Sequence, residues 1–129
     1  MYEEPDKETD RIASVIVDSS LKVHRALGPG LLEVVYEACL SHELRSRGLK
    51  VESQIIVPVM YDGLTIDAGL RLDMLINELV IVELKAVEKM IPVYEAQILS
   101  YLKLTKKRLG LLINFNVVLI KDGIKRIIL

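Results

Sequence analysis

The chain has 129 residues, of which 51% are hydrophobic and 27% are charged, and its formal net charge at pH 7 is −1. This composition is typical of a folded globular protein and excludes a low-complexity chain, while the small net charge argues against a protein that coats nucleic acid through charge alone. No apolar stretch is long enough to span a membrane and the N-terminus lacks an apolar signal core, so we expect neither a membrane protein nor an exported one.

Charge is distributed unevenly along the chain. Residues 1–10 contain five acids and one base, which leaves 16 bases and 13 acids in residues 11–129. We therefore divide the chain into an acidic N-terminal tail, 1–10, and a single domain, 11–129. Cys39 is the only cysteine, which excludes an intrachain disulfide and favours a reducing, cytoplasmic setting.

Two helices are predicted first. Thr9 or Asp10 can cap a helix whose apolar residues recur at helical spacing, and the sequence Gly28-Pro29-Gly30 ends it. A second helix is predicted over about 31–47 and should pack against the first as a hairpin. The predicted inner face of this second helix consists of Leu32, Val35, Tyr36, Cys39, Leu40 and Leu44.

The middle of the chain has the pattern of β-strands. One strand is predicted from Val51 to about Tyr61, and after the turn Asp62-Gly63 a second strand leads into Asp73. A third follows in the run 79–87, which is apolar at odd and even positions alike and therefore predicts a central strand covered on both faces.

The last third of the chain adds one helix and further strands. Ile91-Pro92 opens a helix that carries Tyr94, Gln97, Ile98, Tyr101 and Leu104. Strands are predicted over 111–115 and 117–120, and a turn at 121–123 precedes the closing segment 124–129. Because the helix links two strands as a parallel crossover, the order of elements predicts a mixed β-sheet flanked by helices, an α/β (α+β) fold.

Charged residues interrupt the third predicted strand. Glu83 and Lys85 lie two apart and therefore share one face of the strand, where burial must be compensated. A second carboxylate, Asp73, lies in the neighbouring strand. Two carboxylates and a lysine are suited to a divalent cation such as Mg²⁺ or Mn²⁺, with the lysine free to orient water or stabilise charge on a phosphate. The alternative is a buried Glu–Lys ion pair with Asp73 near the turn.

The register of the hairpin tests this hypothesis. If Asn77-Glu78 formed a strict two-residue loop, Asp73 would pair with Val82 and its side chain would leave the sheet on the face opposite Glu83. The site therefore requires a loop with an odd number of residues, such as 77–79, or a bulge.

Several segments resemble a known protein family. Asp73, followed by Glu83-Leu84-Lys85, resembles the metal-binding signature of the PD-(D/E)XK nuclease superfamily, and the predicted order of elements resembles its restriction-endonuclease-like αβββαβ core with an extra N-terminal helix. The segment Gly30-Leu31-Leu32-Glu33-Val34-Val35-Tyr36 is similar to the motif of the GxxExxY family within that superfamily. The resemblance implies a Mg²⁺- or Mn²⁺-dependent nuclease that hydrolyses phosphodiester bonds of nucleic acid, with DNA favoured over RNA.

The resemblance also implies roles for individual residues. Asp73 and Glu83 would be metal ligands, joined by the Leu84 backbone carbonyl, and Lys85 would be the catalytic lysine. Glu33 resembles the acidic residue that the first core helix contributes to the metal site. The alternative for Glu33 is a surface acid placed favourably in the first turn of a helix.

Four further residues are candidates for binding or orienting the substrate. Gln97 and Tyr101 are four apart on one helix face and resemble the QxxxY motif of exonuclease-like members of the superfamily. The alternative for Gln97 is a structural contact. The alternative for Tyr36 is a core aromatic, which is the more common role of such a residue. The alternative for His24, near a helix end, is a capped or solvated side chain, again the more common case.

Two other interpretations remain open. We expect no added nucleic-acid-binding domain in a chain this short, and the alternative is a catalytically silent nuclease-fold module that binds or regulates protein partners. A homodimer built on the apolar segment 124–129 is also possible, and it would not exclude catalysis. The basic cluster Lys103, Lys106, Lys107 and Arg108 fits either phosphate contact or a solvated helix end.

Overall fold

The computed structural model describes residues 4–129, which form three α-helices and one five-stranded β-sheet. The strands lie in the order β1-β2-β3-β4-β5, and only the β3–β4 pair is parallel. The predicted mixed sheet, αβββαβ core and extra N-terminal helix are thereby confirmed. The elements are α1 (Lys7–Leu27), α2 (Glu33–Ser46), β1 (Val51–Tyr61), β2 (Leu64–Ile76), β3 (Val80–Lys85), α3 (Pro92–Thr105), β4 (Leu109–Asn114), a 3₁₀ turn (Ile120–Gly123) and β5 (Ile124–Ile128).

Helices cover both faces of the sheet. On one face α1 and α2 pack against β3 through Val80, Val82 and Leu84, and on the other face α3 packs against Ile81. Because side chains alternate along a strand, Glu83 and Lys85 follow Ile81 onto the α3 face. None of the helices in the described part of the chain is long and apolar enough to cross a membrane.

Helix α1 begins earlier than predicted. Its N-cap is Asp6, whose carboxylate accepts a hydrogen bond of 2.8 Å from the Thr9 N–H, so the predicted caps at Thr9 and Asp10 are wrong. A carboxylate at this position satisfies a backbone donor that the helix leaves unpaired. Residues 7–10 of the predicted tail therefore belong to α1, and residues 1–3 lie outside the described part.

The predicted inner face of α2 is too wide. Tyr36, Leu40 and Leu44 are buried, but Leu32 is the N-cap residue and is 73% exposed.

The predicted strand over 117–120 is also wrong. The chain bends there and enters the 3₁₀ turn, in which a Cβ on Gly123 would lie 2.1 Å from the Asn114 carbonyl oxygen. Only glycine permits this close return to the end of β4.

Candidate active site at the end of the central strands

The β2–β3 hairpin has the register that the metal-site hypothesis requires. Met74 pairs with Val82 and Ile76 pairs with Val80, which leaves the three-residue loop 77–79. Asn77 and Glu78 both have positive φ angles, of 49° and 58°, and this tight conformation suits asparagine. The odd loop places Asp73 across from Glu83.

Side chains replace the backbone ladder where β2 and β3 separate. Beyond the Met74–Val82 pair, the Asp73 N–H donates to the Glu83 carboxylate over 3.2 Å, and the Leu84 N–H donates to the Asp73 carboxylate over 2.9 Å. Glu83 is only 5% exposed. The two carboxylates therefore lie together at the point where the strands part, each held by a backbone donor of the opposite strand.

Side chains of β2 no longer alternate regularly between the two faces of the sheet at Asp73. Leu70 and Leu72 pack on the α3 side of the sheet, whereas Met74 and Ile76 pack on the α1 and α2 side, although all four are even-numbered. Opposite Asp73 on β1, Gln54 has a φ of 53° and falls between two regular pairs of the ladder. This local irregularity lies at the candidate site.

Three further carboxylates, those of Glu33, Glu37 and Glu83, lie close enough to Asp73 to interact with it electrostatically. Burial, followed by the nearby Asp73, raises the pKa of Glu83 to about 9. Burial, again followed by Asp73, raises the pKa of Glu33 on α2, and Lys85 partly opposes this shift. Burial also raises the pKa of Glu37, one helical turn further along. Like charges held out of water favour protons or a cation at this position.

A small cleft lies between α2 and the β1–β2 hairpin. It encloses about 140 Å³ and is lined by Glu33, Val34, Glu37, Gln54, Arg71 and Asp73. Within residues 4–129, no three histidine, cysteine, aspartate or glutamate side chains are grouped closely enough to hold a metal ion together. Magnesium, however, needs only one or two carboxylates and keeps several waters. The adjacent carboxylates of Asp73 and Glu83 therefore fit a hydrated hard cation.

Helix α3 brings three further groups to the same region. The Lys85 Nζ lies 4.4 Å from the centroid of the Tyr94 ring. The Gln97 side-chain amide donates to the Tyr101 hydroxyl over 2.8 Å. Burial, with the nearby Glu83 next in importance, raises the pKa of Tyr101. Tyr101 therefore lies close enough to Asp73 and Glu83, the acidic pair, to interact with their charges. Its hydrogen bond places Gln97 in the same region.

Tyr36 and His24 lie elsewhere. Tyr36 is fully buried, stacks on Phe115 at 4.7 Å, and its hydroxyl donates to the Gly28 carbonyl and accepts from the Leu31 N–H. Tyr36 therefore lies in the core, as the core-aromatic alternative describes. His24 is 7% exposed and donates from Nε2 to the Val117 carbonyl over 2.8 Å. Within the described residues it makes no hydrogen bond to Glu33, Glu37, Asp73 or Glu83, which together are called the acidic cluster.

Sequence reasoning missed several residues of this region. Glu37 has the signal of a helix-face repeat, four residues after Glu33, and could have been found in that way. Gln54 carried no such signal, because its hydrogen bond of 2.7 Å to Glu37 depends on how β1 packs against α2. Tyr94 and Arg71 were likewise not predicted as site residues.

Asn114 is a further missed residue, and it holds the segment that follows Lys85. Its side-chain oxygen accepts from the N–H groups of Val87 and Asn116, both at 3.1 Å, and its amide donates to the Val87 carbonyl at 3.0 Å. The side chain is 2% exposed. These contacts fix the chain directly after β3.

Asn114→Ala should therefore lower the free energy of unfolding by about 3 kcal/mol, since it leaves buried backbone groups without partners. Urea unfolding followed by circular dichroism measures this loss. Asn116→Ala is the matched control and should cost less than 1 kcal/mol, because only the Asn116 backbone takes part in the bonds above. Equal losses in the two variants would contradict the assignment.

Comparison with known protein families identifies the family of this sequence. A family model described as the PD-(D/E)XK nuclease superfamily matches residues 10–127. Comparisons with curated proteins and with solved structures gave no match. Nucleases of this superfamily typically use divalent metal ions. Because the match covers nearly the whole sequence, including every member of the acidic cluster, the chain belongs to the PD-(D/E)XK nuclease superfamily.

Proposed function

We propose that this protein is a metal-dependent nuclease that hydrolyses phosphodiester bonds of nucleic acid and uses Mg²⁺ or Mn²⁺. The observation that carries the proposal is the pair of carboxylates, Asp73 and Glu83, that meet where β2 and β3 separate, with Lys85 two residues further on the same strand face. We further assign the chain to the GxxExxY group, on the motif that ends in Tyr36.

The proposed roles follow from the positions of the side chains. Asp73 and Glu83 would hold the cation, with the Leu84 carbonyl and Glu33 as further ligands. Glu33 would have to move closer to the pair when the cation binds, because no three acids of residues 4–129 are grouped closely enough as they stand. When bound, the cation lowers the pKa of a water and polarises the phosphodiester. Lys85 orients the attacking water or donates to a phosphate oxygen as negative charge grows there. Burial keeps the Glu83 carboxylate in a poorly solvated environment, where a nearby cation interacts strongly with it.

Helix α3 is proposed to contact the substrate strand. Gln97 and Tyr101 already share a hydrogen bond, and both side chains keep further capacity to donate or accept.

DNA is the proposed substrate in preference to RNA. Dimerisation through the closing strand stays a prediction, and β5 is an edge strand within the described sheet, as that prediction requires.

A cleavage assay tests the proposed function. Single-stranded and double-stranded DNA and RNA are incubated with Mg²⁺, with Mn²⁺ or with a chelator, and products are resolved on denaturing gels. We expect cleavage only with metal. Asp73→Asn should reduce it at least a hundredfold, because one metal-ligand charge is lost, whereas the matched control Asp67→Asn on the exposed part of β2 should not.

The same assay can contradict the proposal. If no substrate is cut above the level of Asp73→Asn under either metal, the protein is not a nuclease of this kind. Calorimetric titration with Mg²⁺ and Mn²⁺ then separates the alternatives. Absence of metal binding by the wild type would support the silent module that acts through protein partners.

A further inference from the structure

Lys85 lies near two acids, Glu33 and Glu83, but forms no ion pair with either within the described residues. Its Nζ contacts the face of the Tyr94 ring at 4.4 Å, and within residues 4–129 it forms no ion pair. Glu33 and Glu83 act on it only through longer-range attraction. A lysine side chain has four rotatable bonds, so an ammonium group near these acids needs a contact that holds it away from them.

An aromatic face can provide that contact without occupying hydrogen-bond donors. A carboxylate partner would take up N–H groups of the ammonium, and pairing with Asp73 or Glu83 would place the ammonium where the proposed cation binds. The ring attracts the positive charge through its quadrupole instead. The ammonium then keeps N–H groups free to donate to a phosphate oxygen or a water.

The backbone that carries the ring is held by the packing of α3. Pro92 occupies the first turn of the helix and Tyr94 follows at once, with its N–H donating to the Ile91 carbonyl over 3.1 Å. The adjacent Glu95 forms an ion pair with Lys125 of β5. One turn further, Ile98 packs so closely on β4 that a Cβ added to Gly110 would lie 2.7 Å from its Cδ1. These contacts leave the start of α3 little freedom.

We propose that Tyr94 is a positioning residue, whose ring holds the Lys85 ammonium beside the acidic pair. The catalytic consequence rests on the proposed nuclease function, but the contact itself does not. Tyr94 lies three and seven residues before Gln97 and Tyr101, so one helix face presents all three. Helix α3 would thus align the lysine and the substrate-contacting pair as one rigid unit.

Nuclear magnetic resonance tests the contact without any assay of cleavage. Protein labelled with ¹³C at the lysine ε-carbons is compared with Lys85→Arg, which identifies the Lys85 signal by its disappearance. In the wild type the ε-protons should be shifted upfield by the ring current. Tyr94→Phe should keep this shift and Tyr94→Leu should lose it. Unshifted ε-protons in the wild type, or an unchanged shift in Tyr94→Leu, would overturn the proposal.

Kinetics then test the consequence for the reaction. Tyr94→Leu should lower kcat about tenfold with KM changed less than twofold, while Tyr94→Phe and Tyr94→Trp, which keep an aromatic face, should stay within about threefold of the wild type. Equal losses in the leucine and phenylalanine variants would show that the ring is not what positions Lys85. If the wild type does not cut nucleic acid at all, the proposed function fails, and the ring-current measurement still decides the role of Tyr94.

Discussion

Lys85→Ala should lower metal-dependent cleavage about a thousandfold and leave metal binding within about threefold of the wild type. In the proposed mechanism the ammonium interacts with charge that develops only in the transition state, and loss of such a group typically costs a factor of a hundred to a thousand. It is not a metal ligand. Cleavage is measured under single-turnover conditions, and metal binding is measured by calorimetry.

Lys89→Ala is the matched control for this experiment. Lys89 is an exposed lysine four residues further along the chain, outside β3, and its loss should change cleavage less than twofold. A Lys85→Ala variant that cuts within tenfold of the wild type would remove Lys85 from the mechanism. Loss of metal binding in Lys85→Ala would instead indicate that the lysine organises the carboxylates.

In the absence of metal, Glu83→Gln should raise the free energy of unfolding by several kcal/mol at pH 8. Burial, and then Asp73, raises the pKa of Glu83 from 4.5 to about 9, so the folded protein retains a proton that the unfolded chain releases. The stability of the wild type should therefore fall as the pH rises from about 4.5 to about 9. Glutamine does not titrate, and its side-chain oxygen still accepts from the Asp73 N–H.

Added metal should make the wild type more stable than Glu83→Gln, the reverse of their order without metal. Added Mg²⁺ or Mn²⁺ should stabilise the wild type at pH 8, because it binds the folded state, and should have little effect on Glu83→Gln. Thermal unfolding from pH 5 to 9, with and without metal, measures both effects. Glu88→Gln, an exposed carboxylate beyond β3, is the control and should follow the wild type. A wild-type stability that is constant over this pH range would contradict the raised pKa.

The hairpin was the most predictable part of the fold. An apolar run interrupted only by Glu83 and Lys85 indicated a central strand, and the requirement that Asp73 face Glu83 reduced the possible registers to those with an odd loop or a bulge. The observed loop, 77–79, satisfies that requirement. Local sequence succeeded here because strand alternation and turn length together determine which side chains are opposite each other.

Other features depend on packing between distant segments and could not be predicted. The break in alternation at Asp73 coincides with the irregular Gln54 on a different strand, so neither sequence alone reveals it. The apolar residues 117–120 have high β-propensity, yet His24 from α1 binds the Val117 carbonyl and Gly123 lets the chain return to the end of β4. Tertiary contacts override local preference at these positions.

The acidic pair also completes the hairpin. Asp73 and Glu83 accept backbone N–H groups at the point where the ladder between β2 and β3 ends. A chain that had abandoned catalysis would still need hydrogen-bond acceptors at these two positions, but it would have no such need for the Lys85 ammonium. Among descendants of a common ancestor, acids preserved at positions 73 and 83 would therefore be compatible with an inactive protein. Lys85 would be the first of the three residues to be substituted.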